Sequence, residues 1–272
     1  MRAITTKPHR RVRLDQLLVE RGLAASRARA QALLLAGRIR VGDGDTARLD
    51  RKPGDLVEPD AAIAVDEPEP YASRGGYKLA AALDAFGLDP AAWVCLDVGA
   101  STGGFTDVLL QRGAARVYAL DVGRGQLADS LGRDLRVVSM ERTNARHLHP
   151  GSLPDPVDLA AIDVSFISLR LVLGPVATCV RDGGEIVALI KPQFEAGRGR
   201  TDRGVVRDPA VHRSVIANVV EHARAIGLTP RGLIASPIHG AEGNREFLVH
   251  LGAGGERPAI DIAALLDEVV AP

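Results

Sequence analysis

An apolar segment that runs into a glycine-rich turn constrains the fold of this chain more than any other part of its sequence. Residues 93–98 are apolar except for Asp97, and three glycines lie within 99–104. A helix-period pattern follows over 103–113. Strand, tight turn and helix in this order open the ligand sites of nucleotide-binding α/β proteins. The spacing is not G-x-G-x-x-G, so the turn does not favour a dinucleotide.

The turn resembles the S-adenosylmethionine turn of class I methyltransferases, where an acidic residue and spaced glycines follow the first strand. An acid at the end of the second strand, Asp121, suits ribose hydroxyls, although N-capping of the next helix is the alternative. The helix N-terminus after the turn suits a carboxylate. We therefore predict S-adenosylmethionine as the cofactor, and its predicted binding residues are Asp97, Gly99, Ser101, Thr102, Gly103, Asp121 and Asn144.

From residue 93 onward, predicted strands and helices alternate. Alternation of this kind gives a mostly parallel sheet covered on both faces. The predicted fold class is α/β, a Rossmann-like class I methyltransferase with a mostly parallel seven-stranded sheet. Strands are predicted near 93–98, 115–121, 135–139, 157–163, 184–190, 229–235 and 245–251, and helices near 73–86, 103–113, 125–131, 168–181, 209–226 and 260–270.

The net charge of zero hides an uneven distribution of charge along the chain. Residues 1–40 contain ten Lys or Arg and two acids, whereas residues 41–70 contain three Lys or Arg and nine acids. A basic block at one end favours a polyanionic partner, the alternative being a solvated surface. Before residue 66, short helical and strand patterns alternate with Gly and Pro breaks, as in a small α+β unit.

The first forty residues resemble the S4-type RNA-binding domain in their ordered motifs: Arg13-Leu-Asp-Gln-Leu-Leu, Arg21-Gly-Leu-Ala-Ala-Ser-Arg27 and Gly37-Arg-Ile-Arg-Val41. The resemblance implies that Arg13, Ser26, Arg27, Gln31 and Arg38 contact RNA. Helix capping by Ser26 and surface solvation of the others are the structural alternatives. We predict an S4-type domain over 1–66, a charged, Pro-rich linker over 67–73 and a methyltransferase domain over 74–272.

Four charged residues occupy positions in apolar patterns, where burial of a charge is unfavourable in free energy. Lys78 lies in an apolar helix pattern, Asp163 and Lys191 end apolar strands, and Glu246 precedes one. Each could be a simple strand or helix terminator. However, ligands of parallel sheets bind at the carboxyl ends of strands, and a buried charge needs partners. A Lys-Asp-Lys-Glu cluster at that edge is therefore predicted.

In this order around the turn, the cluster resembles the K-D-K-E tetrad of ribose 2′-O-methyltransferases. With the motifs Ser73-Arg-Gly-Gly-x-Lys78, Asp163-Val-Ser-Phe-Ile-Ser168 and Lys191-Pro-Gln-Phe-Glu195, the chain resembles the TlyA (haemolysin A) family. That family joins an S4-type domain to an FtsJ-like methyltransferase. The resemblance implies 2′-O-methylation of cytidine in 23S rRNA and, for longer members, also 16S rRNA. One departure is the interdomain segment Pro70-Tyr-Ala-Ser73, where longer members carry Arg and Trp.

A ribose hydroxyl is a weak acid, so methyl transfer requires an in-line geometry and a group that favours loss of its proton. We expect Lys191 to activate the hydroxyl as a base or as a charge stabiliser. Asp163 and Lys78 would orient it, and Glu246 would set the charge balance. Cys95 and Cys179 lie in apolar surroundings and are predicted core residues, and no metal site is predicted. The Gly- and Arg-rich segment 191–207 is either a substrate loop or a solvated loop.

The predicted partner is ribosomal RNA within the 50S subunit and, for the two-subunit type, the 30S subunit. An amphipathic stripe over 262–269 modestly favours that longer type. We expect a cytoplasmic monomer, because the basic start of the sequence has no apolar core and no apolar run approaches a membrane span. Two other functions stay open at this point: a non-catalytic ribosome assembly factor that binds RNA, and a membrane-lytic protein, which would need a basic amphipathic or spanning segment.

Overall fold

The computed structural model describes residues 11–42, 48, 51–66, 69–197, 203–254 and 260–270. The chain divides into two compact units, Met1–Pro70 and Tyr71–Pro272, called unit 1 and unit 2 below. Three parts of the predictions lie outside the described residues. These are the basic residues before Arg11, residues 67 and 68 of the predicted linker, and residues 198–202 of the predicted substrate loop.

Unit 1 packs two helices and four short strands around one small apolar core. Strand β1 pairs with β3 and β2 with β4, both antiparallel. The core includes Leu14 and Leu18 from the first helix and Leu34 from the second. Ser26 begins the second helix as predicted, because its Oγ accepts the N–H of Arg29 at 3.2 Å. The elements are β1 (Val12–Arg13), α1 (Leu14–Glu20), α2 (Arg27–Leu35), β2 (Ile39–Val41), β3 (Leu56–Val57) and β4 (Ile63–Val65).

Unit 2 is built on a seven-stranded sheet in the order β10-β11-β9-β8-β5-β6-β7. The five strands β9, β8, β5, β6 and β7 each run parallel to the next one in this order. Strand β11 runs antiparallel to both β9 and β10. The predicted mostly parallel, seven-stranded sheet is thus confirmed. The strands are β5 (Val94–Val98), β6 (Arg116–Leu120), β7 (Val137–Met140), β8 (Val157–Ile162), β9 (Val180–Ile190), β10 (Leu228–Ala235) and β11 (Phe247–Ala253).

Helices cover both faces of this sheet. Side chains of a strand alternate between faces, so Leu96 and Val98 join one apolar cluster and Cys95 joins the other. The first cluster also contains residues of α6, α8 and α9, and the second contains residues of α3 and α4. The helices are α3 (Gly75–Phe86), α4 (Gly104–Gln111), α5 (Asp129–Gly132), α6 (Leu173–Ala177), α7 (Pro192–Glu195), α8 (Pro209–Ala225) and α9 (Ile262–Val270).

Two predicted helices differ from the structure. Over 125–131 only the last turn becomes helical, because the carboxylates of Asp121 and Glu141 take the N–H groups of Gly123 and Gly125 and hold the segment as a loop. Over 168–181 a 3-10 turn at Leu169–Leu171 and the short α6 replace one long helix. Strand β9 already begins at residue 180, where Val180 pairs with Val157 of β8.

Both cysteines are buried and free, as the sequence predicts for core residues. The stripe over 262–269 forms α9, which packs onto the sheet through buried Ile262 and Val270. Within the described ranges, no helix combines the length and the apolar character needed to cross a membrane.

Candidate active site

The glycine-rich turn leaves β5 and enters α4 through residues with left-handed backbone. Gly99 and Gly103 have φ of +88° and +97°. A Cβ at Gly99 would clash with the main-chain oxygen of Asp163, and a Cβ at Gly103 would clash with Leu131 and Leu127. The sequence predicts that these glycines admit a ligand to the backbone. The structure adds that both are required by close packing of the protein against itself.

Asp97 lies beneath the turn and is completely buried. Its Oδ2 accepts hydrogen bonds from Thr106 N at 2.8 Å and Thr106 Oγ1 at 2.7 Å, which ties the end of β5 to the first turn of α4. Burial, with smaller contributions from the charges of Asp163 and Asp121, raises the pKa of Asp97 to about 7 against the lowering effect of its hydrogen bonds with Thr106. Its Oδ1 has no hydrogen-bond partner among the described residues.

A cavity of about 960 Å³, called the main cavity here, opens at the carboxyl ends of the parallel strands. Asp121 fixes its rim, since one carboxylate oxygen accepts Ser101 N at 2.8 Å and the other accepts Gly123 N at 2.7 Å. Asn144 Oδ1 accepts Arg146 N at 3.1 Å and starts a 3-10 turn. The predicted cofactor residues in its wall are Gly99, Ser101, Asp121 and Asn144.

A second cavity of about 320 Å³ shares Gly99, Ser101, Asp163 and Ser165 with the wall of the main cavity. Its wall also contains Thr102 and both lysines of the predicted tetrad, Lys78 and Lys191. Asp97 and Gly103 line neither of the two.

The four predicted tetrad residues form two ion pairs at this second cavity. Lys191 Nζ lies 2.6 Å from Asp163 Oδ1, outside hydrogen-bond alignment, and donates a hydrogen bond to Ser165 Oγ at 2.8 Å. Lys78 Nζ donates to Glu246 Oε2 at 2.5 Å. Glu246 is 3% exposed and lies outside the cavity wall, so it contacts the cavity only through Lys78.

Sheet topology explains why these four residues meet. Asp163 and Lys191 directly follow the parallel strands β8 and β9, so both lie at the carboxyl edge. Strand β11 runs antiparallel to β9, with Phe247 opposite Ile190, and therefore begins at that same edge, next to Glu246. Lys78 arrives on the first turns of α3.

Two aromatic residues without a predicted role, Phe166 and Phe194, line the main cavity. Phe166 is 91% exposed, has φ of +62° and lies with its ring centroid 5.0 Å from that of Phe194. The carboxylate of Glu195 joins the two segments that carry these rings, because it accepts Ser168 Oγ and Leu169 N, both at 2.6 Å. The signal in the sequence that could have pointed to this pair was Phe166 itself, which lies in the motif directly after β8.

In unit 1, three of the five predicted RNA-contacting residues donate hydrogen bonds to the carboxylate of Asp15, which is not among the predicted site residues. Asp15 is fully buried and accepts hydrogen bonds from Arg13, Arg27 and Gln31. Ser26 is engaged as the N-cap of α2, and Arg38 follows that helix. Contact of these five residues with RNA stays a prediction.

Comparison with known proteins gives two family matches, the FtsJ-like methyltransferase over residues 71–253 and the S4 domain over residues 12–44. TlyA of Mycobacterium tuberculosis, named a 16S/23S rRNA (cytidine-2′-O)-methyltransferase, is 46% identical over 263 residues, which are 96% of this chain and 96% of that protein. The chain belongs to the TlyA (haemolysin A) family. YqxC of Bacillus subtilis is 47% identical over 247 residues, covering 90% of this chain and 86% of that protein.

A solved structure of a protein from Streptococcus thermophilus that is named a hemolysin shares the fold. It is 43% identical, has a TM-score of 0.74 and covers 97% of this chain and 95% of that chain. The resemblance to the family and the predicted fold class are thus confirmed. Unit 2 is an FtsJ-like methyltransferase.

The charges around the glycine turn fit the methyl donor of such enzymes. Asp97, Asp121 and Asp163 lie close enough for two of these carboxylates to raise the pKa of the third. A cluster of carboxylates beside a cavity attracts cations, and S-adenosylmethionine carries a sulfonium and an ammonium. The volume of the main cavity lies within the range of small-molecule sites, about 300–1,000 Å³.

Proposed function

We propose that this TlyA-family chain transfers a methyl group from S-adenosylmethionine to the ribose 2′-hydroxyl of cytidine in ribosomal RNA. The observation that carries the proposal is the meeting of two lysine–carboxylate pairs, Lys191–Asp163 and Lys78–Glu246, beside the glycine-turn cavity. The names of relatives that are 46% identical over nearly the whole chain support the substrate class.

When bound, S-adenosylmethionine supplies an electrophilic methyl group on a sulfonium. Gly99, Ser101, Asp121 and Asn144 would hold it in the main cavity, with Thr102 in the adjoining wall. Asp97 contributes from below the turn through its two hydrogen bonds with Thr106, which fix the start of α4. These assignments combine the predicted cofactor residues with their places around the turn.

Lys191 is proposed to act on the 2′-hydroxyl. An ammonium has three N–H donors, and Ser165 takes one of those on Lys191, so donor capacity remains for the substrate oxygen. Asp163 balances the charge of Lys191 and fixes its position. The proton of the 2′-hydroxyl would leave either to the neutral amine of Lys191 acting as a base, or to water while the ammonium form of Lys191 stabilises the negative charge that develops on the oxygen.

Lys78, which also lines the second cavity, is proposed to orient the same oxygen, with Glu246 paired to it to offset its charge. The exposed ring of Phe166 offers a stacking surface for an RNA base that is unpaired and turned out of the RNA helix. Stacking of unpaired bases on aromatic side chains is a common way in which proteins recognise single nucleotides of folded RNA. Unit 1 would supply binding to the folded RNA through Arg13, Arg27, Gln31 and Arg38.

The test is methyl transfer from labelled S-adenosylmethionine to purified 30S, 50S and 70S particles that lack the modification. We expect label in 2′-O-methylcytidine with wild type and none with Lys191→Ala, and the labelled particle identifies the subunit. A turnover of Lys191→Ala close to that of wild type would refute the assignment of Lys191. Absence of label on every particle, with cofactor bound, would favour a non-catalytic assembly factor.

A further inference from the structure

Asp15 is the buried centre of a polar cluster in unit 1. It lies in the first turn of α1, and its side chain is fully buried. Arg13 donates to both of its oxygens, from Nε to Oδ1 and from Nη2 to Oδ2, each at 3.0 Å. Oδ2 also accepts Arg27 Nε at 2.9 Å and Gln31 Nε2 at 3.0 Å. One carboxylate therefore holds three side chains from two elements.

The two arginines are anchored at one edge and open at the other. The side chain of Arg13 is 43% exposed and that of Arg27 is 57% exposed, whereas the side chain of Asp15 between them is 0% exposed. Arg27 donates only Nε to Asp15, so the N–H groups of its two terminal nitrogens are not used by that carboxylate. Arginine is flexible when unbound, and fixing its planar head in advance reduces the entropy lost when it binds a phosphate.

The charge state of Asp15 is secure. The hydrogen bonds from Arg13, Gln31 and Arg27 hold the pKa of Asp15 well below its usual range despite the opposing effect of burial. The carboxylate is therefore ionised throughout the pH range in which ribosomal particles are intact.

We propose that Asp15 is a positioning residue for RNA binding, which holds Arg13 and Arg27 as a fixed pair of guanidinium groups that fits the phosphate backbone of folded RNA. The inference rests on the proposed function, since it takes ribosomal RNA as the partner. It assigns Asp15 no contact with RNA and no part in methyl transfer.

This role predicts an effect opposite in sign to that of simple charge counting. A negative charge on an RNA-binding surface weakens attraction to phosphate, so its removal should tighten binding. If Asp15 positions the arginines, its removal loosens them and weakens binding to folded RNA, even though the net positive charge rises.

The experiment compares Asp15→Asn with Glu20→Gln, a matched change that removes one exposed carboxylate from the same helix. Binding to purified 50S and 30S particles and to poly(U) is measured at several salt concentrations. We expect Asp15→Asn to bind its particle roughly tenfold more weakly, with poly(U) binding unchanged or tighter. Glu20→Gln should bind both as tightly as wild type or slightly more tightly. Equal particle affinities of the two variants would overturn the proposal.

Kinetics separate positioning from chemistry. Asp15→Asn should raise the KM for the particle and leave kcat at saturating particle and the affinity for S-adenosylmethionine unchanged. A fall in kcat with unchanged KM would contradict the proposal. Wild type that binds particles tightly but methylates none would refute the proposed function and leave the positioning role intact, because binding is measured separately.

A measurement on the wild-type protein tests the proposal even if Asp15→Asn does not fold. The Nε–H groups of Arg13 and Arg27 should give ordered, slowly exchanging NMR signals without RNA, in contrast to the exposed side chain of Arg29. Equal mobility of all three side chains in the free protein would overturn the proposal.

Discussion

At the scale of single residues, Asp97 makes the stability of the protein depend on pH. Its pKa is about 7 in the folded protein and near 3.8 in an unfolded chain. Between these values the folded state binds more protons than the unfolded state, so this residue lowers the free energy of unfolding as pH rises from about 4 to about 7. Above the folded pKa its effect is constant.

Asp97→Asn should remove this dependence, because an amide keeps an acceptor for Thr106 without the charge. The variant should match wild type near pH 4 and be more stable at pH 8 by up to about 4 kcal/mol, at 1.36 kcal/mol per pKa unit. Urea unfolding of the ligand-free proteins at both pH values measures the difference. The exposed carboxylate Asp129 gives the control, Asp129→Asn. A constant difference between Asp97→Asn and wild type from pH 4 to pH 8 would disprove the assignment.

The pair Lys78–Glu246 should behave as a unit. Both side chains are nearly inaccessible, at 10% and 2%, so removal of one partner leaves a charge that is poorly solvated. We expect Lys78→Met and Glu246→Gln each to lower the free energy of unfolding by about 3 kcal/mol. The amide is the safe replacement at 246, because Gly240 packs directly against that carboxylate.

The double variant completes the cycle. Its loss of stability should fall short of the sum of the two single losses by at least about 1 kcal/mol, as measured by chemical unfolding. Strict additivity would mean that the 2.5 Å contact contributes no coupling to the folded state.

The residues that the sequence revealed are those whose position in an element already implies a site. Asp163 and Lys191 end apolar strands, and strand ends of a parallel sheet share one edge. Asp15, Ser165 and Glu195 gave no such signal. Each acts through a partner at least 12 residues away along the chain, as in the contacts of Asp15 with Arg27 and of Ser165 with Lys191. Such contacts depend on packing that no local pattern encodes.

At the scale of elements, α7 is tied to the 3-10 turn Leu169–Leu171 by the carboxylate of Glu195. Glu195→Ala should release both segments, since four residues are too few for a helix to be stable alone. We expect faster amide hydrogen exchange over 165–171 and 192–197, with the rest of the sheet unchanged. Glu221→Ala on the exposed side of α8 is the control. Unchanged exchange in both segments would show that Glu195 does not hold them.

The predicted elements agree with the structure where the apolar pattern and the Gly and Pro breaks point to the same boundaries, as at α3, α8 and the seven strands. They differ from it at 125–131 and 168–181, where contacts distant in sequence decide the outcome. At the first segment, Glu141 takes the N–H of Gly125. At the second, pairing of Val180 with Val157 starts a strand where the apolar pattern alone also fits a helix.

At the scale of the whole molecule, the chain separates charge and chemistry between its two units. Ten of the Lys and Arg residues lie in the first 40 positions, whereas the paired lysines of the candidate active site lie in unit 2. In the proposed function, binding of RNA through unit 1 would be largely electrostatic and therefore sensitive to salt. The proposed methyl-transfer step would depend on Lys191, which is mostly buried. The two properties should therefore respond to different substitutions.

Lys191→Ala, which lacks the activating amine, should still bind ribosomal particles and compete with wild type for them. In a mixture containing a tenfold excess of the variant, methyl transfer by wild type should fall roughly in proportion to the share of particles occupied. The double variant Lys191→Ala with Arg27→Ala should compete less, because it also loses the guanidinium in unit 1 that is proposed to bind phosphate. The salt dependence of its particle binding should decrease by roughly one unit of slope. If the single and double variants inhibit equally, Arg27 does not contribute to capture of the particle.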